Sequence, residues 1–399
     1  MEKYDVIVVG GGPVGCVVAC RLAKAGYNAL LFEEHRSIGE PLHCAGLITD
    51  RVFDLIKDDE IRETTVMNKV RGAVIHSPSG ASIRLEKETP HAYIIDRVRF
   101  DRMLYERAVQ AGVDVQMRSR CVYAGRISDN NVRVDVKREN ERYSYQCGIL
   151  VGADGAYSTI RRLFSFPQPE KMLYGMGAEI TDISLEPSYI NIFLGERIAP
   201  HFFAWIIPIN NKGSKARVGL CVDSTAPHSL KTYFEGLYSN SLISPYIEGS
   251  SIVRYTAGVI PLGVLERTVS DNVLLVGDAA AQVKPVSGGG LYTGLLSAIY
   301  CTDTIQSALS INKYSYDTLY NYHRSWRRSI GRELVNGMRF HMVLSRLTDR
   351  EIDRYIGKFN KTRVVEIINR YGDIDYPSRL AVPLLKRQPS LFRLLFKLL

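Results

Sequence analysis

The stretch at residues 5–33, DVIVVGGGPVGCVVACRLAKAGYNALLFE, restricts the possible folds more than any other part of the chain. Residues 6–9 are a short β-branched apolar run closed at once by glycine, the pattern of a buried parallel strand. Gly10, Gly12 and Gly15 follow in G-x-G-x-x-G spacing. The first allows a tight turn, the second lets a pyrophosphate approach the backbone, and the third lets the next helix pack close to the strand. Residues 16–25 supply that helix, with the positive end of its dipole toward the phosphates. Gly26 stops it, residues 28–32 form the second strand, and Glu33 falls where an acid accepts from a ribose 2′-hydroxyl. The spacing alone is weak evidence, whereas the full strand–loop–helix–strand–acid order specifies a dinucleotide site. The acid favours FAD or NAD over NADP, whose 2′-phosphate wants an arginine, a part only Arg36 is placed to play.

A chain of 399 residues is long for one compact domain and predicts two intimately connected ones. The first strand begins within five residues of the start, which leaves no room for a signal peptide. No apolar run approaches the roughly 18–20 residues of a membrane span. Seven scattered cysteines show no CxxC pair and no metal-like Cys/His spacing, so reduced thiols in the cytoplasm and no metal are expected. A formal charge of +9 suits nucleic acid, an anionic membrane surface or a phosphorylated substrate. No nucleic-acid motif accompanies it, which favours the last two.

After Glu33 comes a loop punctuated by Gly39, Pro41 and Gly46, and Cys44 is the only cysteine set in it. Its chemistry leaves two readings open, a thiol at the site or a small buried hydrophobe. Residues 66–95 alternate as β structure, and residues 96–111 form an amphipathic helix with Phe100, Leu104 and Ala108 on one face. Arg97 stands at the N-terminal end of that helix, where the dipole disfavours a cation, so an anion such as a pyrophosphate is expected beside it. Residues 149–162 repeat the strand–turn–helix pattern with Gly152, Asp154 and Gly155. Residues 163–267 instead alternate like an antiparallel sheet. Residues 273–277 form another buried parallel strand, followed by Asp278 and by Gly288, Gly289 and Gly290, which lead straight into an apolar helix. The chain ends in helical, polar sequence. Its last segment, 391–399, sets leucines against Arg393 and Lys397 as a basic amphipathic helix, either a core cap or a peripheral membrane contact.

Four segments, GGGPVG at 10–15, DRVRFD at 96–101, VGADGAYS at 151–158 and LLVGDAAAQVKPVSGGG at 274–290, stand in this order and spacing. Together they resemble the glutathione-reductase-fold flavoproteins of the para-hydroxybenzoate hydroxylase type, over nearly the whole chain to about residue 330. The resemblance implies an α/β fold with a Rossmann-like FAD-binding domain (1–75, 96–162 and 268–330), an inserted antiparallel substrate domain (76–95 and 163–267) and a helical C-terminal region (331–399). It implies FAD with Asp278 on the ribityl–pyrophosphate and 288–290 beside the isoalloxazine.

Within that group, PLHCAGL at 41–47 and FAWIIP at 203–208 resemble the geranylgeranyl reductases of archaeal lipid and chlorophyll synthesis. Those carry a cysteine in the loop beside the flavin and a (Tyr/Phe)-x-Trp-x-Phe-Pro signature along a prenyl tunnel. Phe203, Trp205 and Pro208 match, while Ile207 departs from the usual Phe. Ile207 leans toward the flavin halogenases, whose WxWxIP motif would need Trp at 203. The chain also lacks the Glu that often follows the cysteine in the archaeal reductases. Carried over by position, Val14, Glu33, Cys44, Ala45, Leu47, Arg97, Val122, Asp278, Gly290 and Leu291 would contact FAD, with Cys44 catalytic and Phe203, Trp205 and Pro208 binding substrate. The expected partners are a prenylated lipid and an electron donor, NAD(P)H or ferredoxin. The rival readings are an aromatic hydroxylase or halogenase, and a flavin-binding redox protein without turnover. Saturating an isolated alkene needs a long apolar channel, whereas the first rival needs a polar pocket fitted to an aromatic ring.

Overall fold

The computed structural model describes residues 1–360, 363–380, 383, 384 and 386; the amphipathic segment expected at 391–399 lies outside them. Its centre is an eight-stranded sheet in which Val273–Leu275, Glu141–Gly152, Glu2–Val9, Ala29–Phe32 and Asp114–Gln116 run parallel and adjacent in that order. The hairpin Ser119–Ser128 and Asn131–Arg138 adds antiparallel to Glu141–Gly152. Period-two alternation gives the first strand two buried faces. Val6 and Val8 pack with Leu22 and Leu295 on one side, Ile7 and Val9 with Phe32 and Ile160 on the other.

The helix Pro13–Lys24 begins three residues earlier than the apolar run suggested, because Pro13 suits the first helical position, where an N–H has no partner. Helix Arg97–Gln110 is capped by Asp96, whose side chain accepts from the Arg99 N–H at 3.1 Å. Ser158 caps Thr159–Leu163 in the same way.

A second, seven-stranded sheet runs in the order Ser251–Leu262, Lys171–Thr181, Lys215–Asp223, Ala204–Pro208, Tyr189–Phe193, Gly72–His76 and Ser82–Glu86. All its pairs are antiparallel except Tyr189–Phe193 with Gly72–His76. The chain therefore enters this sheet at Gly72, a few residues before the boundary expected at 76, and leaves it at Glu86. Ala92–Ile95 belongs instead to a small sheet with Leu47–Ile48 and Val66–Val70. Alternation alone could not show this, because it gives a strand's period and not its partner.

On one face of the large sheet, Ala178, Ile206, Val218 and Leu220 pack against Phe234 and Leu237 of the helix Leu230–Ser239. The opposite pleat turns Glu179, Trp205, Arg217 and Gly219 toward the loops that follow the parallel strands. Helices Asp349–Asn360 and Val364–Tyr371 cover the edge strand Ser82–Glu86, where the Glu86 N–H donates to Asn369 Oδ1 at 2.9 Å. Among the described residues, no helix is long and apolar enough to cross a membrane.

Candidate active site

The glycine-bearing turns at the carboxyl ends of three parallel strands touch one another. A Cβ added at Gly10, where φ is +109°, would lie 2.3 Å from the Ala153 carbonyl oxygen, so two of the turns meet through backbone alone. A Cβ at Gly15 would lie 2.0 Å from the Gly10 carbonyl oxygen, which sets how closely the first helix packs. Gly277 and Gly294 both face the Val14 side chain and bring in the third turn.

Gly12 is different. Its φ of −69° suits any residue, and nothing lies within 4 Å of an added Cβ. The missing side chain relieves no protein contact. It leaves open the space before a helix whose N-terminus no side chain caps. Leu291–Ser310 starts likewise, with Gly290 at its N-cap and no capping side chain. Two uncapped helix starts and an open glycine between touching turns form a cradle that fits a pyrophosphate.

The Asp278 carboxylate lies beside Gly290, whose added Cβ would be 2.9 Å from Oδ1. Burial pushes this carboxyl up to about 6, against the pull of the Arg97 guanidinium. No hydrogen bond reaches the carboxylate from the described residues. A buried acceptor with no protein donor fits a polyol hydroxyl of the cofactor. Glu33 behaves otherwise: Oε2 accepts from the Gly11 N–H at 2.7 Å, and Oε1 from the His35 N–H at 2.8 Å. Oε1 also meets the His35 ring Nδ1 at 2.6 Å, so Oε2 is the oxygen that keeps a second lone pair for the ribose. Val122 is half-buried on the strand Ser119–Ser128, whose first N–H donates to the Glu33 carbonyl at 2.7 Å.

Arg97 has its anion within the protein, one turn along its own helix. Nε and Nη2 donate to the Asp101 oxygens at 3.1 and 3.0 Å. Burial works against the guanidinium charge, yet Asp101 outweighs it and holds Arg97 above its ordinary value. The pyrophosphate expected there is not needed to explain this cation. The Cys44 sulfur also lies within electrostatic reach of Arg97 and of Arg217.

Of the seven cysteines, Cys44 is the one that is not buried, and its Sγ accepts from the Gly46 N–H at 3.3 Å. His43 turns to the Ala257 carbonyl instead of pairing with it. Ala45 and Leu47 join an apolar cluster with Trp205 and Ile207.

The aromatic stretch stands on the inner pleat of the large sheet. Phe202 and Phe203 stack with centroids 4.2 Å apart, and Trp205 lies across Gly219, where an added Cβ would come 2.6 Å from the indole. Phe202 and Ile260 face Gly288, so this wall abuts the glycine turn. The Pro208 carbonyl accepts from Asn68 Nδ2 at 2.9 Å and anchors the strand end.

Sequence reasoning missed the groups beneath the Cys44 loop. Arg217, only 3% exposed, donates through Nη1 to the carbonyls of Ala45 at 2.8 Å and Ile95 at 3.0 Å. Its charge faces Glu179 at 3.6 Å, which also takes Arg254 at 2.8 Å. A lone cation in the otherwise apolar run ARVGLCV was the available signal. Lys284, just before the glycines, was missed as well; its Nζ reaches Asp375 at 2.6 Å.

A family model for an FAD binding domain matches residues 3–336. An uncharacterized protein of Methanocaldococcus jannaschii is 32% identical over 389 residues, covering 96% of this chain and 95% of that one. The digeranylgeranylglycerophospholipid reductase of the same organism is 30% identical over 359 residues, covering 88% of this chain and 89% of the reductase. A solved structure of a geranylgeranyl bacteriochlorophyll reductase-like protein from Thermoplasma acidophilum shares the fold, with a TM-score of 0.86 at 24% identity over 100% of both chains. The chain thus belongs to the FAD-binding flavoprotein family and, within it, to the family of the archaeal digeranylgeranylglycerophospholipid reductases.

Proposed function

We propose that this FAD-dependent oxidoreductase saturates C=C bonds of geranylgeranyl chains, with an archaeal-type membrane diether lipid as substrate. One observation carries the reading: the apolar wall of Phe202, Trp205 and Ile260 stands directly against the Gly288 turn. An isolated trisubstituted alkene has no polar handle, so only shape and apolar contact can hold it near the reacting centre. Reduced FAD, when bound, supplies the hydride that one alkene carbon takes.

The other carbon takes a proton, for which Cys44 is the candidate donor. Its sulfur is already an acceptor for the Gly46 N–H, which leaves the S–H free to point elsewhere. Arg217 positions this thiol by holding the next carbonyl, that of Ala45. Asp278 and the uncapped helix starts hold the cofactor, and the inner pleat of the seven-stranded sheet holds the prenyl chain. The electrons that regenerate reduced FAD come from NAD(P)H or a ferredoxin. Ile207 is the one feature that favours a halogenase instead.

Anaerobic incubation of the dithionite-reduced, FAD-loaded protein with a geranylgeranyl diether lipid tests the reading by mass. A gain of two hydrogens per double bond is expected. No gain with fully reduced protein, or oxygen-dependent oxidation or halide incorporation in its place, refutes it.

A further inference from the structure

The apolar cluster of Val70, Ala92, Ile94, Ile207, Trp205 and Ile374 ends abruptly in charge. His91 directly precedes Ala92, and its N–H donates to the Val70 carbonyl at 3.0 Å. Its ring Nε2 is buried without a partner among the described residues. Arg51, Lys87, Asp373 and Asp375 all act electrostatically on that ring. Asp373 takes Arg51 with both oxygens at 2.8 Å. Asp375 takes Lys284 at 2.6 Å, Arg51 at 3.0 Å and the Thr49 hydroxyl at 2.5 Å. Lys87 is left with a backbone carbonyl, that of Asn369, and pairs with no carboxylate among the described residues.

Two features of this cluster point to an external anion. Arg51, Lys87, Lys284 and Arg379, the last 3.6 Å from Asp373, carry four positive charges against the two carboxylates, so the site is cationic with its own acids in place. Burial lowers both Lys87 and His91 from their ordinary values, and the pull of Asp373 on each does not offset it. The segment 373–375 also imitates an anionic lipid. Ile374 packs into the apolar cluster while the acids on either side of it sit on the cations.

We propose that Arg51, Lys87 and His91 form a phosphate site for the headgroup of a prenylated phospholipid, and that Asp373 is the internal anion the phosphate displaces from Arg51. The inference rests on the prenyl-reductase reading of the adjoining apolar cluster. Phosphate is the fitting class because a planar guanidinium fork, an ammonium and an imidazole N–H can share its several oxygens.

The test is equilibrium binding of geranylgeranyl monophosphate, geranylgeraniol and inorganic phosphate to the FAD-loaded full chain, with flavin content and melting temperature checked for every variant. Wild type should bind the monophosphate at least tenfold tighter than the alcohol. Lys87→Met should cut that ratio at least tenfold, and Asp373→Asn should raise it several-fold. Equal binding of ester and alcohol by wild type, or an unchanged ratio in Lys87→Met, overturns the site. An unchanged ratio in Asp373→Asn overturns the role of Asp373. Inorganic phosphate binding as tightly as the ester would reassign the site to free phosphate and overturn the headgroup. Phosphate-selective binding without hydrogen gain would sink the reductase reading alone, whereas hydrogen gain with unchanged selectivity in Lys87→Met would sink this site alone.

Discussion

Asp278→Asn should move protein stability and cofactor affinity in opposite directions. Burial raises this carboxyl from 3.8 to about 6, so the folded apoprotein holds its proton more tightly than the unfolded chain does. Below pH 3.8 the group is protonated in both states and costs nothing. As pH rises from there toward 6, the unfolded chain releases the proton first and stability falls. Above that range the whole deficit is present, about 3 kcal/mol for a shift of about two units. Asparagine copies the neutral carboxyl and abolishes the deficit. Apo Asp278→Asn should therefore be more stable than wild type by about 3 kcal/mol at pH 7.5 and by about half as much at pH 5. The same change removes a charged acceptor from the FAD cradle, a loss of about 1.5–3 kcal/mol, or about 10–150-fold in FAD affinity. Urea unfolding of the apoproteins at both pH values, with FAD titration at pH 7.5, measures both effects. A stability gain that does not change with pH, or a loss at pH 7.5, would refute the buried-carboxylate argument.

The two spacing glycines should separate by function. Gly12→Ala should leave apoprotein stability within about 1 kcal/mol of wild type while weakening FAD binding at least tenfold, because its Cβ meets no protein atom. Gly15→Ala places a Cβ 2.0 Å from a backbone oxygen and should cost about 3 kcal/mol or more in urea unfolding, with or without FAD. Cys44→Ala and Cys44→Ser should keep FAD but slow single-turnover oxidation of the reduced flavin by substrate at least tenfold, about 1.4 kcal/mol of barrier. Unchanged rates in both variants would remove Cys44 from the mechanism.

The parts of the candidate cofactor cradle are local, which is why its glycines and its acid could be singled out in the sequence. Gly10, Gly12 and Gly15 lie within one turn, and Asp278 shares a short segment with Gly288, Gly289 and Gly290. The aromatic wall was legible as a motif, although its contact with Gly288 was not. Arg97 shows the limit of such reading. Its place at a helix start led to the expectation of a pyrophosphate, whereas the anion the structure places on it is Asp101, one turn along the same helix and buried with it.

By itself the sequence determined what spacing can encode: the parallel strands, the turns that need glycine, and the alternation that gives the large sheet an apolar face. Tertiary structure decided which distant charges meet. Arg217 lies 172 positions from the Ala45 carbonyl it holds, and Lys284 lies 91 from Asp375. Neither separation carries any periodicity, so nothing in the chain's local pattern marks the partner. The pairs exist because burial makes an isolated charge costly and the fold leaves each cation only a few nearby acids and carbonyls to face.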